Sequence, residues 1–266
     1  MVSVDQTEIA AAFNDRARTY ARGDWHRRYA ERLVELTGLR PGWRVVDAGT
    51  GTGFAAFAAR RAVGRTGRVV GVDISSEMVA RARAAISGAG PANVLLARAD
   101  ATQLPLPSGS VDAVICSAAL LYMPVDAALA EWRRILRPGG LVGISTMQRD
   151  NPPSAALFRR LAASYGLRLD DPSARLGSAE ECRRVLSAQN FKVRSIVPET
   201  VAFHPADLKQ AWSVHARMYA AELDTLPQVD RARLETAYVR ALGRTTDSGG
   251  SVDKAAVLYA FGTTKP

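Results

Sequence analysis

Val45-Val46-Asp47-Ala48-Gly49-Thr50-Gly51-Thr52-Gly53, with the alanine-rich stretch 54–63 behind it, decides the fold of this 266-residue chain. β-branched residues running into a glycine cluster read as a buried strand that ends in a tight turn. The alanine-rich stretch reads as a helix that breaks at Gly64 and Gly67. Working outward, the pattern repeats. Arg68-Val-Val-Gly-Val-Asp73 is a second strand, and Ser75 or Ser76 caps a helix over 77–86. Val94-Leu-Leu-Ala97 and Val111-Asp-Ala-Val-Ile-Cys116 are the third and fourth strands. A helix over 127–136 ends at Pro138-Gly139-Gly140, and Leu141-Val-Gly-Ile-Ser145 is a fifth strand. Strands mostly separated by helices of about ten residues form βαβ units, whose right-handed crossovers build a parallel sheet. The fold class is α/β, Rossmann-like, with helices on both faces.

Towards the N-terminus, residues 1–40 read as helical. Asp24 caps a stretch through Tyr29, Leu33, Val34 and Leu36, with Gly38 past its end and Pro41 beyond. After residue 150 the alternation loosens into helices over 155–164 and 180–188, a strand over 191–197, and helices over 206–223 and 230–242. A glycine-containing turn over 244–251 follows, and Val257, Tyr259 and Phe261 alternate as a terminal strand. The chain divides into a helical lid segment, 1–40, and one domain, 41–266, with a substrate cover inserted at about 203–250.

The formal charge is +9, carried by 31 arginines and four lysines. The arginines fall partly as scattered doublets such as Arg27-Arg28 and Arg60-Arg61, whose members point in different directions on a helix. A nucleic-acid surface concentrates its charge on one face, so the pattern argues against that partner. Cys116 and Cys182 are too few and too far apart for a disulfide framework or a zinc site, and no metal is expected. No apolar run reaches the ~20 residues of a membrane helix. The first thirty residues carry four acidic side chains and no apolar signal core, which points to the cytoplasm.

Several positions carry chemistry. The glycine cluster after the first strand lets backbone approach a ligand, at a helix N-terminus that favours negative charge. A dinucleotide fingerprint needs a third glycine where this chain has Phe54, so a nicotinamide cofactor is disfavoured. Asp73, ending the second strand, can accept from both hydroxyls of a ribose. Asp100 and the Ala101 N–H can address an adenine edge, with Ile74 and Met78 against its ring.

Four stretches stand in order: 45–53, 71–75 with Met78, 100–114, and Glu131-Trp-Arg-Arg-Ile-Leu-Arg-Pro-Gly-Gly140. Together they resemble the class I S-adenosylmethionine-dependent methyltransferases, in the branch of ubiquinone/menaquinone-type and small-molecule enzymes. Ala12-Phe13-Asn14 through Tyr20 is similar to the N-terminal stretch of that branch. The likeness spans about 10–146 and implies a seven-stranded sheet whose last strand is antiparallel. It implies that Gly49, Gly51 and Gly53 hold the methionine portion of S-adenosylmethionine, with Asp47 near its amine. Asp73 is then the ribose ligand, Ile74 lies beside the adenine, and Asp100 and Ala101 read its edge. Ser117 flanks the sulfonium and Tyr20 closes over the cofactor.

The implied reaction moves a methyl group to a small-molecule acceptor at O, N or C, possible in secondary metabolism, leaving S-adenosylhomocysteine. A phenol or hydroxyl acceptor calls for a general base. Candidates are His204, His215, Tyr122, Tyr219 and His26. The quinone branch places a histidine pair after the fourth strand where this chain has Leu121-Tyr122, which counts against a quinone. Trp212, His215 and Tyr219 share one helix face, as a core stripe or a pocket wall. One alternative keeps the cofactor for a non-methylating reaction such as cyclisation. Nucleic-acid methylation is weaker, because Ser117-Ala-Ala-Leu120 lacks the tetrad used on exocyclic amines.

Overall fold

The computed structural model describes residues 6–18, 20, 24–86, 93–203, 208–247 and 254–265. Its strands are β1 (Arg44–Ala48), β2 (Arg68–Asp73), β3 (Val94–Arg98), β4 (Val111–Ser117), β5 (Leu136–Met147), β6 (Lys192–Ala202) and β7 (Lys254–Thr263). They form one sheet in the order β3-β2-β1-β4-β5-β7-β6. The first five run parallel, and β7 lies antiparallel between β5 and β6. The helices are α1 (Gln6–Arg16), α2 (Trp25–Thr37), α3 (Phe54–Val63), α4 (Ser76–Ile86), α5 (Val125–Ile135), α6 (Pro153–Ala163), α7 (Ala179–Ala188), α8 (Ala211–Met218), α9 (Ala220–Leu223) and α10 (Gln228–Asp247).

Alternation along the strands divides the core. Val45, Ala113 and Ile115 face α2, α3 and α4, with Leu33, Ala59 and Val79 packed against them. Val46, Val114 and Cys116 point to the other face, against Trp132 of α5 and Val185 of α7. A strand buried on both faces needs apolar residues at successive positions, which is why the central strands read as unbroken apolar runs. A third cluster joins α6, α8, α9 and α10 through Phe158, Tyr219, Leu223, Leu234 and Tyr238. These helices pack on one another beside the sheet.

Four boundaries differ from the sequence expectation. Helix α5 spans Val125–Ile135, because Leu136 is already extended at φ −70°, ψ 135°. Strand β5 then carries Pro138-Gly139-Gly140 within it, with a register shift against β4 at Val111/Ala113. The helix expected over 206–223 is interrupted at Tyr219 (φ −117°, ψ 37°), whose hydroxyl donates to the Asp170 carbonyl at 2.7 Å. Helix α10 runs on to Asp247 through Gly243, so no turn starts at Arg244. Strand β6 extends to Ala202 and accommodates Pro198 because it is the sheet edge, where a missing N–H costs no pairing. No described helix is long and apolar enough to cross a membrane.

Candidate functional site

The site lies beyond the carboxyl ends of the parallel strands, where open α/β sheets bind ligands. Gly49, Gly51 and Gly53 all have positive φ (72°, 54° and 93°), a backbone region that side chains disfavour. The Gly49 and Thr50 N–H groups donate to the Val72 carbonyl at 2.8 Å, and the Gly51 N–H donates to Asp73 Oδ2 at 2.8 Å. The loop amides are therefore anchored to β2 and its end. What Gly51 contributes to a ligand is room, because a Cβ there would meet only Tyr20 Cε1 at 3.9 Å, whereas at Gly49 the Ala119 side chain takes that space. Gly53 sits behind them at the head of α3, where the Phe57 ring fills the space a side chain would take.

Asp73 receives a second backbone N–H, from Ser75 at 2.9 Å, which fixes the plane of its carboxylate. The Ser75 hydroxyl accepts from the Met78 N–H at 3.1 Å and donates to Asn14 Oδ1 at 2.7 Å. One serine thus caps α4 and ties α1 down over the sheet. Just after β3, Asp100 Oδ1 accepts from the Thr102 N–H and hydroxyl, both at 2.8 Å, making a closed turn.

These loops enclose a cavity of about 600 Å³. Tyr20, Gly49, Gly51, Asp73, Ile74, Met78, Asp100, Ala101 and Ser117, nine residues singled out from sequence, all line it. Phe13 of α1 and Tyr122 add an aromatic edge, with ring centroids 5.2 Å apart. Asp47 lies one layer down, in an adjoining hollow with Tyr20, His26, Gly49 and Ser117. Its Oδ2 accepts from the Thr50 hydroxyl at 2.6 Å, while Oδ1 is buried with no hydrogen-bond partner among the described residues. An orphaned carboxylate oxygen under a glycine loop is what an ammonium group would satisfy. The residues present fit an adenosyl amino acid.

Burial pushes the Asp47 carboxyl up to about 7. Its unfolded value is about 3.9, so the folded chain holds this proton more tightly and the stability that this group contributes is greatest in acid. As pH rises from about 4 to 7, the wild type is expected to lose stability relative to Asp47→Asn, by up to about 1.4 kcal/mol per pH unit. Urea denaturation of both proteins across this range checks it, and parallel curves would refute the assignment.

A second space opens where Phe13, Tyr20, Ala118 and Tyr122 end the first. It comprises two overlapping hollows of about 770 and 780 Å³, between α1, α2, α6 and α8. Of the base candidates, His26, His215 and Tyr122 line it, and His204 lies outside the described residues. Burial, reinforced by the Arg16 charge, holds His26 well below the usual imidazole range. Burial and the Arg16 and Arg159 charges push His215 down to about 3, so both rings are neutral at pH 7. Tyr219 instead stacks on Phe158 at 5.9 Å, and Trp212 packs on Phe158 and Tyr238. The shared helix face resolves into core at Trp212 and Tyr219, and wall at His215. Sequence reasoning passed over Arg16, Trp25, Arg159, Asp171 and Phe203, which also line this space and carry no local motif. Among the described residues there is no metal-binding group of three or more His, Cys, Asp or Glu.

Sheet order, glycine loop and strand-end carboxylates together define a class I methyltransferase fold. A family model described as a methyltransferase domain matches residues 45–140. Nocamycin O-methyltransferase of Saccharothrix syringae is 36% identical over 123 residues, covering 46% of this chain and 44% of that protein. Demethylmenaquinone methyltransferase of Staphylococcus aureus is 32% identical over 152 residues, covering 57% of this chain and 61% of that protein. The matched part is therefore about half the length of these relatives. The solved structure of the (4+2)-cyclase SpnF shares the fold at TM-score 0.59 and 22% identity, covering 90% of this chain and 81% of that one. Residues 45–140 are thus similar to a methyltransferase domain, and the fold is that of the class I S-adenosylmethionine-dependent methyltransferases.

Proposed function

We propose that this protein transfers a methyl group from S-adenosylmethionine to a small organic acceptor. One observation carries the reading: nine residues from separate loops line one cavity that opens into a second, aromatic-walled space. Asp73 receives the ribose hydroxyls, Ile74 and Met78 hold the adenine with Asp100 and Ala101 at its edge, and Asp47 takes the ammonium. When bound, the cofactor supplies an already activated methyl carbon on a sulfonium. What remains for the chain is alignment of acceptor and carbon and exclusion of water. Segment 1–40 serves as the lid, with Phe13 and Tyr20 over the cavity and Asn14 as its latch on α4. The insert at about 203–250 covers the acceptor. The nocamycin relative, an O-methyltransferase by name, supports a small-molecule acceptor, in this reading a secondary metabolite.

The test is calorimetric titration with S-adenosylmethionine, followed by detection of S-adenosylhomocysteine over a panel of acceptors. Asp73→Ala is expected to weaken cofactor binding by about 1.5–3 kcal/mol, as for hydrogen bonds to a charged group. Unchanged affinity would place the ribose elsewhere, and no binding by the wild type would end the reading. A second reading, cofactor binding that serves a cyclisation, is favoured by the fold shared with SpnF. A methylated product appearing with S-adenosylhomocysteine would exclude it.

A further inference from the structure

The charge on the wall of the acceptor space says what it admits. Among the described residues lining it, Arg16, Arg159 and Arg217 are cationic and Asp171 is the one carboxylate. Asp171 is fully engaged: its Oδ2 accepts from Arg159 at 3.0 Å and the Asp150 N–H at 2.8 Å, and its Oδ1 from the Ser173 N–H and hydroxyl. No lining carboxylate is left to receive an ammonium. A cationic acceptor would meet like charge here, beside a cofactor that is itself a cation. An acceptor that becomes an anion as it reacts meets the opposite.

The shape and the bases agree with the charge. Trp25 and Phe203 meet edge to face at 4.9 Å, and Tyr20, Phe13 and Tyr122 continue an aromatic lining against which an aromatic ring can pack. His26 is the imidazole that reaches both spaces. It lines the acceptor hollows and also the hollow that holds Asp47, Gly49, Gly51 and Ser117. Its ring is gripped between Trp25 at 3.6 Å and Tyr20 at 4.1 Å, and Nδ1 has no hydrogen-bond partner among the described residues. His215 lines only the acceptor side and has Ser154 Oγ at 3.4 Å from its Nε2.

We propose that the acceptor is a phenol packed against these aromatic side chains, and that His26 is the catalytic base that takes its proton. This rests on the methyltransferase reading above. The phenol O–H proton passes to the His26 ring while an oxygen electron pair forms the new O–C bond to the methyl carbon. The carbon–sulfur bond breaks with its pair kept by sulfur, leaving a neutral thioether, and the imidazolium returns its proton to water. The guanidinium of Arg16, 5.0 Å from the Phe13 ring centre and 5.5 Å from that of Tyr20, stands at the mouth between the two spaces, where oxygen charge develops.

The experiment assays the full chain against matched monocyclic phenols, anilines and aliphatic amines by S-adenosylhomocysteine release, with calorimetry of cofactor binding in parallel. Phenols are expected to turn over, and amines to run at least about a hundredfold slower. His26→Asn is expected to lower kcat on an unactivated phenol by about 10²- to 10⁴-fold, with cofactor affinity within about threefold of wild type. Its deficit should shrink across phenols of falling pKa, because a phenol already ionised needs no base; a merely structural role would leave the deficit constant. Cofactor binding with turnover of amines but not phenols overturns the proposal alone. So does a His26→Asn loss below tenfold, or a deficit independent of phenol acidity. Failure of the wild type to bind S-adenosylmethionine brings down the underlying reading as well. The amine-versus-phenol arm uses the wild type, so it decides the acceptor class even if the variant folds poorly.

Discussion

Gly49→Ala is expected to cost about 2–5 kcal/mol of folding stability, and cofactor binding with it. Two penalties meet at this position. An L side chain at φ 72° costs about 1–2 kcal/mol, because its Cβ crowds the following carbonyl. The new Cβ would also fall inside contact distance of Ala119 Cβ, with Met123 Cε at 3.1 Å. Ala119 follows Ala118, itself held at φ 52°, so that loop has little freedom to retreat. Overpacking of this kind adds about 1–3 kcal/mol. Gly51→Ala is the control. Its Cβ would meet only Tyr20 Cε1, at 3.9 Å, so the backbone penalty stands alone. Gly51 and Tyr20 both line the cavity proposed for the cofactor, and the methyl there should reduce affinity more than stability. Urea denaturation with calorimetry separates the two. Equal stability losses at both positions would contradict the packing argument.

The contrast shows why the glycine loop was legible in the sequence while the space beside it was not. Strand, glycine turn and helix are contiguous, and their cause is local: φ above zero, two-sided burial and an alanine-rich helix. Asp73, Asp100 and Ser117 follow the same logic, each at or near the end of its own strand. The second space has no such local cause. Arg16, Trp25, Arg159 and Phe203 come from helices and loops nearly 190 positions apart, and only tertiary packing gathers them. The boundary between α5 and β5 failed for a related reason. Pro138-Gly139-Gly140 reads as a break in any helix, but pairing of Leu136 with Val111 starts the strand before the break is reached. Tyr219 likewise interrupts its helix because of a distant carbonyl, that of Asp170.

Trp132→Ala is expected to be the most damaging single change outside the glycine loop, at about 5 kcal/mol, a third or more of the stability of an ordinary domain. Trp132 is fully buried, and truncating a tryptophan in a close-packed core leaves a cavity its neighbours only partly fill. Its indole N–H also donates to the Ala101 carbonyl at 2.9 Å, an acceptor that would be left buried and unpaired. The residues around it make the same connection. Glu131 accepts from the Leu104 N–H at 2.6 Å, and Arg134 donates to the carbonyls of Leu104 and Leu106 at 3.1 and 2.8 Å. Glu131-Trp-Arg-Arg134 is therefore a clamp by which α5 holds the loop after β3, whose residues Asp100 and Ala101 line the cavity proposed for the cofactor. Trp132→Phe keeps most of the ring volume and removes the N–H, so it should lose about 2 kcal/mol of stability yet still weaken the cofactor by loosening Ala101. Denaturation midpoints and calorimetric affinities of the two variants read the effects apart. Undiminished cofactor affinity in Trp132→Phe would show that the Asp100–Ala101 turn holds its shape without the clamp, and that Trp132 serves the core alone.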